Sequence, residues 1–347
     1  MKQIPLGQTG LHVSQLCLGS MTWGNRNTES EGHAQIDMAL DHGVNFIDTA
    51  EMYPVNPIAA ETVGRTEDII GSWIAKTGRR DDIVLATKVT GQGQSCVRNG
   101  APISRDAIVA AVEGSLARLK TDVIDLYQLH WPNRGSYHFR QHWGFDPTRQ
   151  NGPETAEHMA EVMETLAGLV QAGKIRHFGL SNESTWGTAQ WIAAAKAHGG
   201  PRPQAIQNEY SLLCRIFDTD LAELCAHEQV TLLAFSPLAT GLLSGKYAGD
   251  VTPAGSRREN NPLLGGRITP RLWPAVQAYC NIADRHGLDP SQMALAWCCA
   301  RPVPTVPIFG ATSLAQLKCA LGAADLTLSA AVLSEIDAAH RAHPLPF

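Results

Sequence analysis

A chain of 347 residues at roughly 150 per domain suggests about two domains, yet a single α/β barrel commonly runs to about 250 residues, and past 400 with insertions. An apolar fraction of 44% with 18% charged residues excludes a disordered chain, and a net charge of −5 offers no positive field to nucleic acid or anionic lipid. The start, Met1-Lys2-Gln3-Ile4-Pro5, holds no signal-like apolar run, and the longest apolar stretch, Met293 to Ala300, falls far short of the ~20 residues of a membrane span. A cytoplasmic protein with no membrane partner is expected. The eight cysteines, at 17, 96, 214, 225, 280, 298, 299 and 319, lack CxxC pairs and read as reduced, mostly buried thiols.

In chain order, a hairpin comes first (Ile4 to Leu6, turn at Gly7 to Gly10, Leu11 to Val13). Eight strand-like runs follow: Leu16 to Gly19, Asn45 to Asp48, Ile83 to Lys88, Val123 to His130, Ile175 to Leu180, Ala205 to Asn208, Thr231 to Phe235 and Thr305 to Ile308. Between them lie amphipathic helical patterns. Ser104 to Leu119 puts Ile108, Val112, Leu116 and Leu119 on one face; Thr155 to Gln171 does the same with Met159, Val162, Met163, Leu166 and Val170. Asp289-Pro290-Ser291-Gln292 is a helix-start signature with proline where its missing N–H is harmless. Eight β–α alternations predict a closed parallel barrel over residues 1–347 as one domain, because doubly wound sheets more often use five or six strands. The strand-to-helix loops are long (Thr49 to Gly64, Val89 to Ile103, Trp131 to Pro153, Ser236 to Pro270), and in a barrel all of them open on the C-terminal face, where active sites are built.

Three strands end in a polar residue at that face: Asp48, Lys88 and His130. Each alone is more often a solvated strand end, and Tyr53, five residues past Asp48, alone reads as packing. Together they make chemical sense. A phenol near pKa 10 is a poor acid unless a cation favours its phenolate, and Lys88 can supply that charge. Asp48 on the neighbouring strand can keep a desolvated lysine protonated, and His130 adds a second donor. Such a group protonates and polarises a carbonyl oxygen while hydride reaches carbon.

With these residues in hand, the chain resembles the aldo-keto reductases along nearly its whole length. The resemblance is carried by Leu16-Cys17-Leu18-Gly19, Asn45 to Tyr53, Asp125-Leu126-Tyr127-Gln128-Leu129-His130-Trp131-Pro132, Gly173-Lys174-Ile175-Arg176, Gly179-Leu180-Ser181-Asn182, Phe235-Ser236-Pro237-Leu238 and Gly241 to Tyr247. Glu51-Met52-Tyr53-Pro54 looks like the bacterial Tas-like branch, related to potassium-channel β-subunits. The resemblance implies a catalytic group of Asp48, Tyr53, Lys88 and His130 with Tyr53 as general acid, and an extended NADP(H), or NAD(H), without a Rossmann glycine loop. It implies that Ser181, Asn182 and Gln207 hold the carboxamide and that Phe235 stacks on the nicotinamide. Ser236, Pro237, Leu238, Gly241, Ser244 and Lys246 match the pyrophosphate loop, and Gly310, Thr312 and Gln316 match the segment by the 2′-phosphate. The Glu and Asn that usually end this segment are Cys319 and Ala320 here, so preference for the 2′-phosphate would rest on Thr312, Lys318 or a base of the Arg257-Arg258 loop.

Trp23 and Trp131 are candidates for an apolar substrate pocket. His138 and His142, i and i+4 in a loop, lack a third ligand, and no metal is expected. The expected activity is reduction of aldehydes or ketones to alcohols. One alternative is a cofactor-binding regulatory module that turns over little and serves a protein partner. A metal-dependent barrel hydrolase is another, disfavoured because Lys88 would repel a cation.

Overall fold

All 347 residues are described by the structure, a computed structural model. Strands β1 (Gln3–Pro5) and β2 (His12–Ser14) form the antiparallel hairpin, Ile4 opposite Val13. The barrel strands are β3 (Cys17–Gly19), β4 (Phe46–Asp48), β5 (Val84–Val89), β6 (Ile124–Leu129), β7 (Ile175–Ser181), β8 (Pro203–Glu209), β9 (Thr231–Phe235) and β10 (Thr305–Phe309). Each is parallel to the next, and β10 pairs with both β9 and β3, closing the ring. The eight-stranded closed barrel read from the sequence is therefore the fold.

Helices α1 (Glu29–Asp41), α2 (Arg65–Thr77), α3 (Arg105–Leu119), α4 (Gly152–Gln171), α5 (Thr185–His198) and α6 (Asp220–Glu228) separate successive strands. A one-turn α7 (Arg257–Asn260), then α8 (Leu272–Arg285) and α9 (Pro290–Cys299), lie between β9 and β10; α10 (Leu314–Leu321) and α11 (Ala330–Ala342) end the chain. Helix starts are set by side-chain oxygens that satisfy the free N–H groups of the first turn: Thr28 and Glu31 form a reciprocal capping box on α1, Ser104 caps α3, and Asp289 accepts from Ser291 and Gln292 at α9. Helix α4 starts at Gly152, capped by Asn151, three residues before the apolar pattern does. Its expected face shifts slightly, with Leu169 buried and Val170 37% exposed.

Two apolar layers result. The larger lies between strands and helices. The smaller fills the barrel with Cys17, Phe46, Ala86, Leu126, Ala205, Leu233, Val306 and Ile308, and Leu6 and Val13 of the hairpin join it from below. The barrel is thus stoppered at its N-terminal end by the hairpin, and polar inward-facing residues begin one layer up, toward the C-terminal mouth.

Candidate active site

The inward face of β4, β5, β6 and β8 turns polar at the same height. Lys88 Nζ donates to Asp48 Oδ1 at 2.6 Å and to the Thr49 carbonyl at 2.7 Å. Asp48 Oδ2 accepts from Gln207 Nε2 at 2.9 Å and from Gln128 Nε2 at 3.2 Å, and Gln207 Nε2 also donates to Gln128 Oε1 at 3.2 Å. Lys88 is fully buried and Asp48 nearly so. Burial works against the ammonium more than any other influence, but Asp48 and Tyr53 together outweigh it and Lys88 ends above the ordinary lysine range.

Tyr53 stands over this pair, its ring centroid 4.9 Å from Lys88 Nζ. Its loop is fixed on both sides. Thr49 N donates to Ala86 O, Glu51 N to Lys88 O, and Gly64 N to Tyr53 O. Glu51 is gripped by Arg98 through Nη1 at 2.6 Å and Nη2 at 2.8 Å, while Arg98 Nη2 reaches Thr90 O at 3.0 Å. This fork ties the loop after β4 to the loop after β5. The sequence suggested that Lys88 makes Tyr53 a better acid. Lys88 does act in that direction, but burial is the larger influence and leaves the phenol above its ordinary value. At neutral pH the hydroxyl keeps its proton.

His130, just past β6, meets Tyr53 edge-on at 5.9 Å. Burial first, and Lys88 second, hold its imidazole well below the usual range, so the ring is neutral, and its buried Nδ1 has no protein partner. Trp131 packs between His130 (4.9 Å) and Phe139 (6.1 Å) and donates to Gln92 O at 3.0 Å. Gly91 makes room for it: a Cβ there would lie 2.2 Å from Trp131 Nε1. Trp23 is elsewhere. It is completely buried, its indole N–H bound to Gln35 of α1 at 3.1 Å and its ring against Gly32, so the expectation that it lines the pocket is corrected: it is core between loop and helix.

Around the mouth, Ser181 Oγ and Asn182 N donate to Gln207 O at 2.9 and 3.0 Å, and Asn182 Nδ2 donates to His130 O at 2.9 Å. Phe235 ends β9 beside Glu209 of β8 and Ser236 follows it, with Arg267 bridging to Glu209 at 2.8 Å and Ser236 Oγ at 3.5 Å. Ser236, Pro237, Leu238, Gly241 and Ser244 form a tight turn in which Ser244 Oγ donates to Gly241 O at 2.8 Å. Lys246 folds back over Gly241, where a Cβ would come within 2.7 Å of its Cε. Gly310 passes close to the Gly19 carbonyl, and Thr312 N and Oγ1 both donate to Gln316 Oε1. Cys319 faces α9, its carbonyl accepting from Gln292, and Ala320 is buried, so neither replaces the acid and amide of the usual motif.

Several buried groups lack what a dinucleotide carries. Asn182 Oδ1, Tyr247 Oη and Ser256 Oγ are buried acceptors or donors with no protein partner. Lys246, Arg257 and Arg26 lie close together: Lys246 is held below its ordinary range by burial first and then by Arg257 and Arg26, and Arg257 by burial first and then by Arg267 and Arg26. None of the three pairs with a carboxylate, and Arg26 bonds only the Gly255 carbonyl, at 3.3 Å. Arg258, by contrast, is consumed by Asp250 and the Val251 and Pro262 carbonyls. Uncompensated cations beside free hydroxyls fit a phosphate chain, and a free amide oxygen fits a carboxamide. Sequence reading missed Gln128 and Arg26. A polar residue at the inward register two before His130 was the available sign for the first; a base in the loop after β3 was too common a feature to mark the second.

The model of the aldo/keto reductase family matches residues 15–341. The chain is 42% identical to Protein tas of Escherichia coli K12 over 97% of both chains. It is 31% identical to aldo-keto reductase YhdN of Bacillus subtilis over 92% of this chain and 87% of that one. With a probable voltage-gated potassium channel subunit beta of Arabidopsis thaliana it shares 30% identity over 98% and 96%. The chain belongs to the aldo/keto reductase family, a family of oxidoreductases.

Proposed function

We propose that the protein reduces aldehydes or ketones to alcohols with NADP(H), Tyr53 acting as general acid. The observation that carries this reading is the Tyr53 ring over the buried Lys88–Asp48 pair, with His130 at its edge. Ser181, Asn182 and Gln207 would hold the carboxamide and Phe235 the ring face. Lys246, Arg257 and Arg26 would hold the phosphates, and Thr312 with Gln316 lies at the adenosine end. When bound, the cofactor supplies hydride to the carbonyl carbon.

The chain's own contribution is at the oxygen. Tyr53 donates its proton there, and the Lys88 charge favours the phenolate left behind. Asp48 keeps the buried Lys88 charged, and a neutral imidazole at His130 offers an N–H to orient the carbonyl without a competing charge. The pyrophosphate is common to both cofactors and carries two charges, so the third of these cations is the one that would favour the 2′-phosphate of NADP(H) over NAD(H). Trp131 and Phe139 offer aromatic surface to the rest of the substrate.

The test is oxidation of NADPH and of NADH with a reactive aromatic aldehyde, wild type beside Tyr53→Phe. Turnover should fall at least ~10²-fold in the variant, as for loss of a general acid, with cofactor affinity unchanged. Equal turnover would remove Tyr53 from the role. Saturable binding without turnover in the wild type would favour a regulatory module of the kind that the similarity to a channel subunit suggests.

A further inference from the structure

Gln128 has no part in the chemistry above, yet it occupies the most constrained polar position in the barrel. It is fully buried on β6, in register with Lys88 of β5 and Gly179 of β7. Strands β6 and β8 are not neighbours. Gln128 reaches Gln207 only because β7 presents a glycine between them, where an added Cβ would sit 3.2 Å from Gln128 Cγ and 3.2 Å from the Ala205 carbonyl. The result is a triangle: both amide nitrogens donate to Asp48 Oδ2, and Gln207 spends its second N–H on Gln128 Oε1. With both its hydrogens committed, the Gln207 amide has one orientation, and its carbonyl oxygen accepts from no protein donor.

We infer that Gln128 is a positioning residue that sets the Gln207 amide for recognition of the cofactor carboxamide and couples that recognition to the Asp48–Lys88 pair. The inference rests on the proposed reading of the site. A donor arriving at Gln207 Oε1 polarises its N–H groups, which strengthens their hold on Asp48 Oδ2. Cofactor seating and the charge of the Asp48–Lys88 pair therefore support each other, and each affinity changes with the other. Without Gln128 the Gln207 amide keeps only its bond to Asp48 Oδ2, so one N–H loses its acceptor and the amide plane is held at one point instead of two. The titratable groups around the triangle are Asp48, Lys88 and Tyr53, with Cys17 on β3 and His130 just past β6; on the same strand faces, two positions from Gly179 and Gln207, stand His177 of β7 and Glu209 of β8.

The experiment is binding of NADP⁺ to the full-length protein, followed by quenching of its eight tryptophans, for wild type, Gln128→Met and Gln128→Glu between about pH 6 and 9. Thermal melts confirm that each variant is folded. Methionine keeps the shape and loses both donor and acceptor. Affinity should drop by about tenfold at every pH, the scale of one hydrogen bond to a charged group. Glutamate beside Asp48 stays protonated at low pH through burial and like charge, so its O–H can still donate to Asp48 while its other oxygen accepts from Gln207. Its affinity relative to wild type should be near one at low pH and fall as the carboxyl ionises. A purely structural role would lower the melting temperatures and leave both affinity ratios at one, and that result overturns the inference. So does a glutamate variant as weak as methionine at every pH. If wild type binds neither NADP⁺ nor NAD⁺, the cofactor reading itself fails and takes the coupling with it.

Discussion

Lys88 and Asp48 form a pair whose value lies in not being separated. Each is buried, so removing one strands the other in a medium that solvates it poorly, at a cost of about 3–5 kcal/mol. Lys88→Met should therefore lower the melting temperature sharply. The double variant Lys88→Met with Asp48→Asn should recover most of that loss, since no unpaired charge is left, while turnover stays abolished in both. Equal melting temperatures for the single and double variants would show that the carboxylate finds other support, from Gln128 and Gln207. At the same scale, Tyr53 illustrates a limit of reading charge from sequence: a neighbouring lysine was visible, but the burial that outweighs it depends on how the loops close.

At the scale of elements, the loops rather than the strands decide the chemistry. The Glu51–Arg98 fork joins the loop bearing Tyr53 to the one that follows Lys88. Arg98→Ala leaves Glu51 buried and unpaired, and is expected to destabilise the fold by about 3 kcal/mol and to lower kcat more than it raises the cofactor KM; an unchanged kcat would mean that Tyr53 is held without the fork. Gly91→Ala should instead act on the substrate side, because its Cβ displaces the Trp131 indole. The KM for an aromatic aldehyde should rise while NADP⁺ affinity stays the same.

All eight barrel strands were legible in the sequence to within two or three residues, since β-rich runs ending in Asp48, Lys88 and His130 are bounded by clear helix patterns. The hairpin and the cap at Asp289 were equally plain, being local chemistry; the Ser104 cap was not read, though its segment was. What escaped needed the third dimension. Trp23 looked like a loop aromatic near the mouth, and nothing local says that α1 covers it. The Gln128–Gln207 contact spans 79 positions and depends on a glycine on a third strand, and the one-turn α7 is too short to leave a periodicity.

For the molecule as a whole, several imidazoles resist protonation. Burial leads in holding His130, His138 and His158 below the ordinary histidine range. In the unfolded chain they return to about 6.5, so below that pH the unfolded state takes up protons that the native state refuses. Stability contributed by their neutral forms is thus present above about pH 6.5 and lost as pH falls toward the native values, below which the loss levels off. Melting temperatures measured from about pH 7.5 to 5.5, above most carboxylate titration, should decline steadily; a flat profile would contradict the assignment.

The cluster of Arg26, Lys246 and Arg257 carries a practical consequence for anyone working with the protein. On a chain of net charge −5, it is a local concentration of positive charge in which none of the three side chains has an ion-pair partner, Arg26 bonding only the Gly255 carbonyl. Small multivalent anions in the solution will collect there. Inorganic phosphate or sulfate in the buffer should stabilise the free protein by mass action and at the same time behave as a competitor, raising the apparent KM for NADPH well beyond what ionic strength alone explains. The same preparation assayed in phosphate and in a zwitterionic buffer matched for ionic strength would then seem to be two enzymes of different cofactor affinity.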